Sequence, residues 1–303
     1  MTQPEPLPRV AFIGLGNMGT PMASRLVAAG YPVVGFDLSP AAREQLVTAG
    51  GAVAETAAAA AEGAGVVILM LPNSDIVESV LADDAMLGAL GAGRATIVDM
   101  SSSEPLRTRA LAERLGERGL TLVDAPVSGG VTGATGGTLT IMVGASDDDA
   151  AALDPLLSVL GRTVHAGAVG AGHAAKALNN LLSATHLWAT SEAVIAGERF
   201  GIEPAVLLSI FNGSSGRSGS TENKWPNFIL NEAYNSGFGL RLMLKDMKIA
   251  VGLSEELGLP TLLGSDAVQL WSEVAEAYPA GADHTEVARW LRERSEGSTV
   301  MAE

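Results

Sequence analysis

The chain of 303 residues is 47% hydrophobic and 17% charged, with 36 Gly and 14 Pro, a composition that folds and does not stay disordered. Its formal net charge of −15, from 34 acids against 19 bases, repels nucleic acid and anionic membrane surfaces, so neither is an expected partner. There is no cysteine, which excludes disulfides, thiol nucleophiles and thiolate metal sites and fits a cytoplasmic protein.

Residues 1–8 have neither a cationic start nor an apolar stretch, and no targeting segment is expected there. A β-rich run at 9–13 stops at Gly14, and apolar residues at helical spacing follow over 21–29. The next strand is expected at 32–37 and the next helix at 40–49. The alanine run 57–61, flanked by Glu55 and Glu62, reads as a surface helix. Residues 65–71 are apolar throughout, as in a strand covered on both faces, and are far too few to span a bilayer. Strands at 95–99, 120–124, 138–143 and 162–165 repeat the theme. Strands separated by helices imply parallel βαβ units in a doubly wound sheet. After Gly170 the strand signal disappears, and one long helix is expected over 172–199. Further helices follow at 204–211, 240–257, 261–278 and 284–294, with a polar irregular loop at 212–220. The expected architecture is a doubly wound α/β domain over 1–168, then an all-α domain over 169–303.

The rare side chains narrow the chemistry. His165, His173, His186 and His284 form no HxH or HExxH pattern, so no metal site is expected. The only lysines are Lys176, Lys224, Lys245 and Lys248, all in the second half, while arginine carries the rest of the positive charge.

Gly14-Leu15-Gly16-Asn17-Met18-Gly19 is a GxGxxG motif placed directly between the first strand and the first helix. In that context the glycines allow a tight turn and close backbone approach to a pyrophosphate, which the helix N-terminus then faces. Asp37 ends the second strand about 20 residues later, where a carboxylate accepts from the adenosine ribose hydroxyls and repels a 2′-phosphate. NAD is therefore the expected cofactor, with NADP left open by Arg43 nearby. Asp124 opens a strand-end segment, Asp124 to Gly130, whose Ser128, Gly129 and Gly130 offer a hydroxyl and unobstructed amides suited to a carboxylate. Lys176 and Asn180 lie four apart on the long helix and share a face. A lysine partly withdrawn from water can exchange a proton with a carbinol oxygen near working pH. His173, one turn away, is the rival base.

These motifs, in this order, resemble the β-hydroxyacid dehydrogenase family, the group of 3-hydroxyisobutyrate dehydrogenase and tartronate semialdehyde reductase. Residues 12–19 resemble its dinucleotide signature, 124–130 its substrate loop, 172–176 with Asn180 its GxxxK helix, and 245–250 its late cofactor motif. The resemblance implies a 6-phosphogluconate dehydrogenase-like helical domain joined to the Rossmann domain through a long helix, and homodimers or homotetramers. It implies Lys176 as general acid/base beside Asn180, with Ser128, Gly129 and Gly130 on the substrate carboxylate and Phe238 and Asp246 lining the substrate site. It also implies that Leu71, Pro72, Asn73, Ser102 and Lys245 serve the cofactor. The implied reaction is NAD-dependent interconversion of a small β-hydroxy acid and its semialdehyde.

His173 stands where the family often has Gln or Asn, and Arg217, in the variable segment 214–225, offers a second anionic handle or is a structural arginine. Two rival readings accompany the first. Imine reductases share the architecture but generally replace the lysine that Lys176 would be. A non-catalytic dinucleotide-binding module that senses redox state would bind the cofactor without turnover.

Overall fold

The computed structural model describes residues 6–93 and 95–297. The described chain divides into two compact units, one running to Lys176 and one from Ala177. The division thus falls inside the long helix, past the 168/169 seam expected from the Gly- and Ala-rich junction.

The first unit contains β1 (Val10–Ile13), α1 (Gly19–Ala28), β2 (Val33–Phe36), α2 (Pro40–Thr48), β3 (Ala52–Val53), α3 (Ala57–Ala61), β4 (Val66–Leu69), α4 (Ser74–Ala82) and α5 (Asp84–Gly93). It continues with β5 (Thr96–Asp99), α6 (Pro105–Gly116), β6 (Thr121–Asp124), β7 (Val127–Ser128), α7 (Gly130–Gly136), β8 (Leu139–Gly144), α8 (Asp147–Leu157) and β9 (Gly161–Gly167). One sheet orders them β3-β2-β1-β4-β5-β6-β8-β7, with β9 paired to β8. The pairs from β3 to β6 are parallel, the order of a doubly wound dinucleotide fold.

Side-chain alternation explains why these runs are strands and why both sheet faces are covered. Along β1, Val10 and Phe12 join a core with Met22 and Leu26 of α1, while Ala11 and Ile13 join the opposite core with Val77, Met86 and Leu90. Along β4, Val66 and Ile68 take the first side and Val67 and Leu69 the second. Period-two placement of apolar residues on both faces requires helices on both faces. Ser39, Thr56, Asn73 and Ser146 cap α2, α3, α4 and α8 with their side-chain oxygens.

Two expectations need correction. The alanine run 57–61 is a helix, but Ala60 and Ala61 are fully buried in the second core, because a methyl-sized side chain lets the short helix pack closely. The sheet is not parallel throughout, since β8 runs antiparallel to β6 and β7. The stretch between β7 and β8 is shorter than the roughly dozen residues a parallel crossover needs, so the chain doubles back.

The second unit is helical. It holds most of α9 (Ala171–Phe200), then α10 (Pro204–Asn212), a π-helix at Ser220–Ile229, α11 (Leu240–Glu256), α12 (Leu262–Ala277) and α13 (Glu286–Gly297). Trp225, Trp271, Met247, Val274 and Val287 are fully buried at its core, and the Trp225 indole N–H donates to Ser191 Oγ at 3.3 Å. The loop expected at 212–220 is irregular only between Gly213 and Gly219 before the π-helix begins. Helix α13 starts two residues later than expected, because the Asp283 carboxylate accepts from the Thr285 N–H and hydroxyl and holds that turn open.

Candidate active site

At the carboxyl end of β1 the chain turns through Gly14 with φ +97°, a conformation that favours glycine. A Cβ there would lie 2.3 Å from Met70 O, and one on Gly19 would lie 1.9 Å from Gly14 O. A Cβ on Gly16 would meet nothing within 4 Å. Gly14 and Gly19 are thus demanded by the protein's own packing, whereas the bareness of Gly16 faces open space. No side chain caps α1, whose N-terminal amides point along the same turn. Asp37 closes the arrangement. Its Oδ2 accepts from the Leu15 N–H at 2.7 Å and its Oδ1 from the Ser39 N–H at 2.7 Å, while Arg43 donates to the Asp37 carbonyl at 2.8 Å. Leu15, Gly16, Asn17, Thr20, Asp37 and Ser39 contribute to the lining of a cleft of about 520 Å³. A bare glycine over a helix N-terminus, with a strand-end carboxylate beside it, fits a dinucleotide: the amides suit the pyrophosphate and Asp37 suits the ribose hydroxyls.

After β4, the Leu71 N–H donates to Ser101 Oγ at 2.9 Å, which fixes the Leu71-Pro72-Asn73 turn. Asn73 Oδ1 accepts from the Ile76 N–H at 3.0 Å, so this residue also caps α4. Ser102 sits half-buried between two buried serines that Asp99 holds: Asp99 Oδ1 accepts from the Ser101 N–H and Oδ2 from the Ser103 hydroxyl at 2.8 Å. Asp99, Ser101 and Ser103 were not singled out from the sequence. The signal was present in the matching runs Thr96-Ile97-Val98-Asp99 and Thr121-Leu122-Val123-Asp124, whose aspartates are partners in the β5–β6 register.

Ser128 ends β7 half-buried, Gly129 follows at φ +134°, and Gly130 opens α7. Asp124, at the head of that segment, is fully buried and does not belong to the exposed loop. Burial pushes its carboxyl up, while the His173 ring and the N–H donors of Gly170 and His173 pull it down. The His173 side chain is fully buried, with Nδ1 2.9 Å from Thr108 Oγ1. The ring is thus enclosed by the protein's own side chains.

Lys176, on α9, is 7% exposed. Asn180, one turn on, is 5% exposed, and its Nδ2 donates to Asp246 Oδ2 on α11 at 2.6 Å. That bond sets the orientation of the Asn180 amide. Lys245 Nζ lies 3.2 Å from Asp246 Oδ1. The half-buried Phe238 donates its N–H to Asp283 and meets the His284 ring edge-on at 5.7 Å. Arg217 pairs with Glu222 at 2.6 Å on the surface.

Burial and the Lys224 amine push the His284 imidazole down to about 4, against the pull of Asp283. The unfolded imidazole titrates near 6.5. Between those values the unfolded chain binds the extra proton, so this contribution is complete above about pH 6.5 and is lost as pH falls toward about 4. The loss amounts to roughly 3 kcal/mol. Thermal unfolding should show a lower Tm at about pH 4.5 than at pH 7. His284→Gln, which has no proton to gain, should flatten that slope, and an unchanged slope in the variant would assign the acid sensitivity to other groups.

Among the described residues no helix is long and apolar enough to cross a membrane, and no group of three or more His, Cys, Asp or Glu is placed to hold a metal.

Two family models cover most of the chain: the NAD binding domain of 6-phosphogluconate dehydrogenase over residues 9–170, and the NAD-binding domain of NADP-dependent 3-hydroxyisobutyrate dehydrogenase over 170–291. The 3-hydroxyisobutyrate dehydrogenase of Pseudomonas aeruginosa is 41% identical over 293 residues, 93% of this chain and 98% of that protein. The chain belongs to the β-hydroxyacid dehydrogenase family. An NAD-dependent L-serine dehydrogenase of Pseudomonas aeruginosa is also 41% identical, over 87% of this chain and 91% of that one. Among solved structures, Mycobacterium tuberculosis 3-hydroxyisobutyrate dehydrogenase with L-serine superimposes with a TM-score of 0.86 at 33% identity, covering 95% of this chain and 100% of that one. This β-hydroxyacid dehydrogenase is thus an NAD(P)-dependent enzyme, with the Rossmann and helical domains that its family carries.

Proposed function

We propose that this β-hydroxyacid dehydrogenase interconverts a small β-hydroxy acid of the 3-hydroxyisobutyrate type and its semialdehyde, with Lys176 as the general acid/base. The observation that carries the reading is a lysine buried on α9, one turn before an asparagine whose amide is oriented by a buried carboxylate. A buried amine is costly to keep and serves best where a proton must move at a defined atom.

The bound dinucleotide supplies the hydride acceptor or donor at C4 of its nicotinamide. The glycine turn and Asp37 hold its pyrophosphate and ribose, with Leu71, Pro72, Asn73, Ser102 and Lys245 as its further contacts. Asp37 favours NAD, since a 2′-phosphate would meet a carboxylate. The Ser128 hydroxyl and the amides of Gly129 and Gly130 receive the substrate carboxylate, and Asp246 and Phe238 complete the substrate contacts. In oxidation the carbinol carbon gives up a hydride and its oxygen gives up a proton, which the Lys176 amine takes while Asn180 orients the oxygen. In reduction the Lys176 ammonium returns that proton to the carbonyl oxygen.

The carboxylate requirement is the sharpest test of the substrate class. In a panel of β-hydroxy acids offered with NAD and with NADP, the free acids should reduce the nicotinamide and their methyl esters should be poor substrates. Esters turned over as fast as the acids would remove the Ser128 loop from recognition.

A further inference from the structure

We infer that Asp124 is a positioning residue for Lys176: its buried carboxylate caps the first turn of α9 from a distant strand and so sets where the lysine points. The inference rests on the reading of Lys176 as the acid/base group. Helix α9 begins at Ala171, preceded by a glycine that has no side chain with which to cap it. Asp124, from the end of β6, takes that part instead. Its Oδ1 accepts from the Gly170 N–H at 2.6 Å and its Oδ2 from the His173 N–H at 2.7 Å, so both carboxylate oxygens grip the same turn. Lys176 lies three residues beyond His173, within the next turn, and inherits the azimuth that these bonds impose.

The surroundings leave the turn little freedom. A Cβ on Gly172 would lie 2.1 Å from Met142 O and 2.9 Å from Asp124 Oδ2, and one on Gly144 would lie 2.3 Å from Asp124 Oδ1. Two glycines thus make room for one carboxylate between β8 and the helix. The His173 ring packs beside it, with Nδ1 3.8 Å from Asp124 Oδ2 and Nε2 3.7 Å from Asp99 Oδ2. It therefore stands between two buried carboxylates that are partners in adjacent strands. Two buried carboxyl groups flanking a buried imidazole are an expensive arrangement for a plain helix stop. It is suited to fixing geometry, since a misplacement of about 1 Å at a reacting group can cost roughly 10²-fold in rate.

The test is a double-mutant cycle with Lys176. Asp124→Asn keeps the volume but presents an amide that cannot accept both N–H groups. Asp124→Ser keeps one acceptor oxygen and is read in parallel, so that a single variant that fails to fold does not decide the matter. In either, kcat should fall by roughly 10²-fold with the NADH Kd within about twofold of the parent, and amide hydrogen exchange should accelerate over residues 170–176. In a Lys176→Ala background the same substitutions should lower the residual kcat by less than about twofold, because the group they position is gone. Parental kcat in a folded Asp124 variant, or the full loss repeated without Lys176, would overturn the assignment. Near-parental turnover in Lys176→Ala alone would instead refute the acid/base reading on which it rests.

Discussion

Lys176→Ala should lower kcat by about 10²- to 10⁴-fold while NADH binds as before, the usual range for removing a positioned acid/base group. On the free-energy scale this is roughly 3–5 kcal/mol of transition-state stabilisation. The expectation is sharpened by what surrounds the residue. His173, one turn earlier, has a fully buried side chain hydrogen-bonded to Thr108. Lys176→Arg should be almost as damaging, because a guanidinium keeps the charge but does not release a proton at working pH. Steady-state rates with a responsive β-hydroxy acid, together with fluorescence titration of NADH, separate the two effects. Near-normal kcat in the alanine variant would move the proton transfer to another group.

The glycine turn offers a second large effect with opposite signatures at two neighbouring positions. Gly16→Ala places a methyl where the protein has nothing within 4 Å, so Tm should stay within the change expected of about 0.5 kcal/mol. The same methyl projects where the pyrophosphate must approach, and the NADH Kd should rise at least about tenfold, equivalent to about 1.4 kcal/mol. Gly19→Ala forces a methyl to 1.9 Å from a backbone oxygen and should destabilise the fold itself by roughly 1–3 kcal/mol, as overpacking does. Thermal unfolding and cofactor titration of the two variants distinguish a residue bare for packing from one bare for a ligand. If Gly16→Ala bound NADH with parental affinity, the cofactor would not pass over that glycine.

The parts of this molecule that are legible in the sequence are those whose signal is local. The Gly14 turn, Asp37 and α1 are contiguous with their strands, and strand periodicity alone gives the two-faced sheet and the change to an all-helical second half. Lys176 and Asn180 are legible because four residues on a helix make one face. What is not legible depends on partners far apart in the chain. Asp124 reads as the start of a substrate loop, yet it reaches Gly170 and His173, more than 40 residues on, as a helix cap. The antiparallel turn of β7 and β8 is set by the shortness of their connection, which alternation does not record. The π-helix at Ser220–Ile229 follows directly on a Gly- and Ser-rich stretch that reads as loop, and it carries Pro226 within it. Alanine at 60 and 61 reads as surface because charge flanks it, whereas its small size is what lets that helix sink into the core.

The most direct measurement follows an atom. A β-hydroxy acid carrying deuterium on its carbinol carbon, such as labelled 3-hydroxyisobutyrate or serine, is incubated with NAD, and the reduced cofactor is analysed by mass spectrometry and NMR. The account predicts one deuterium at C4 of the nicotinamide for a free acid, and loss of that transfer in Lys176→Ala. Reduced cofactor without the label, or no reduction by any β-hydroxy acid tried, would contradict it.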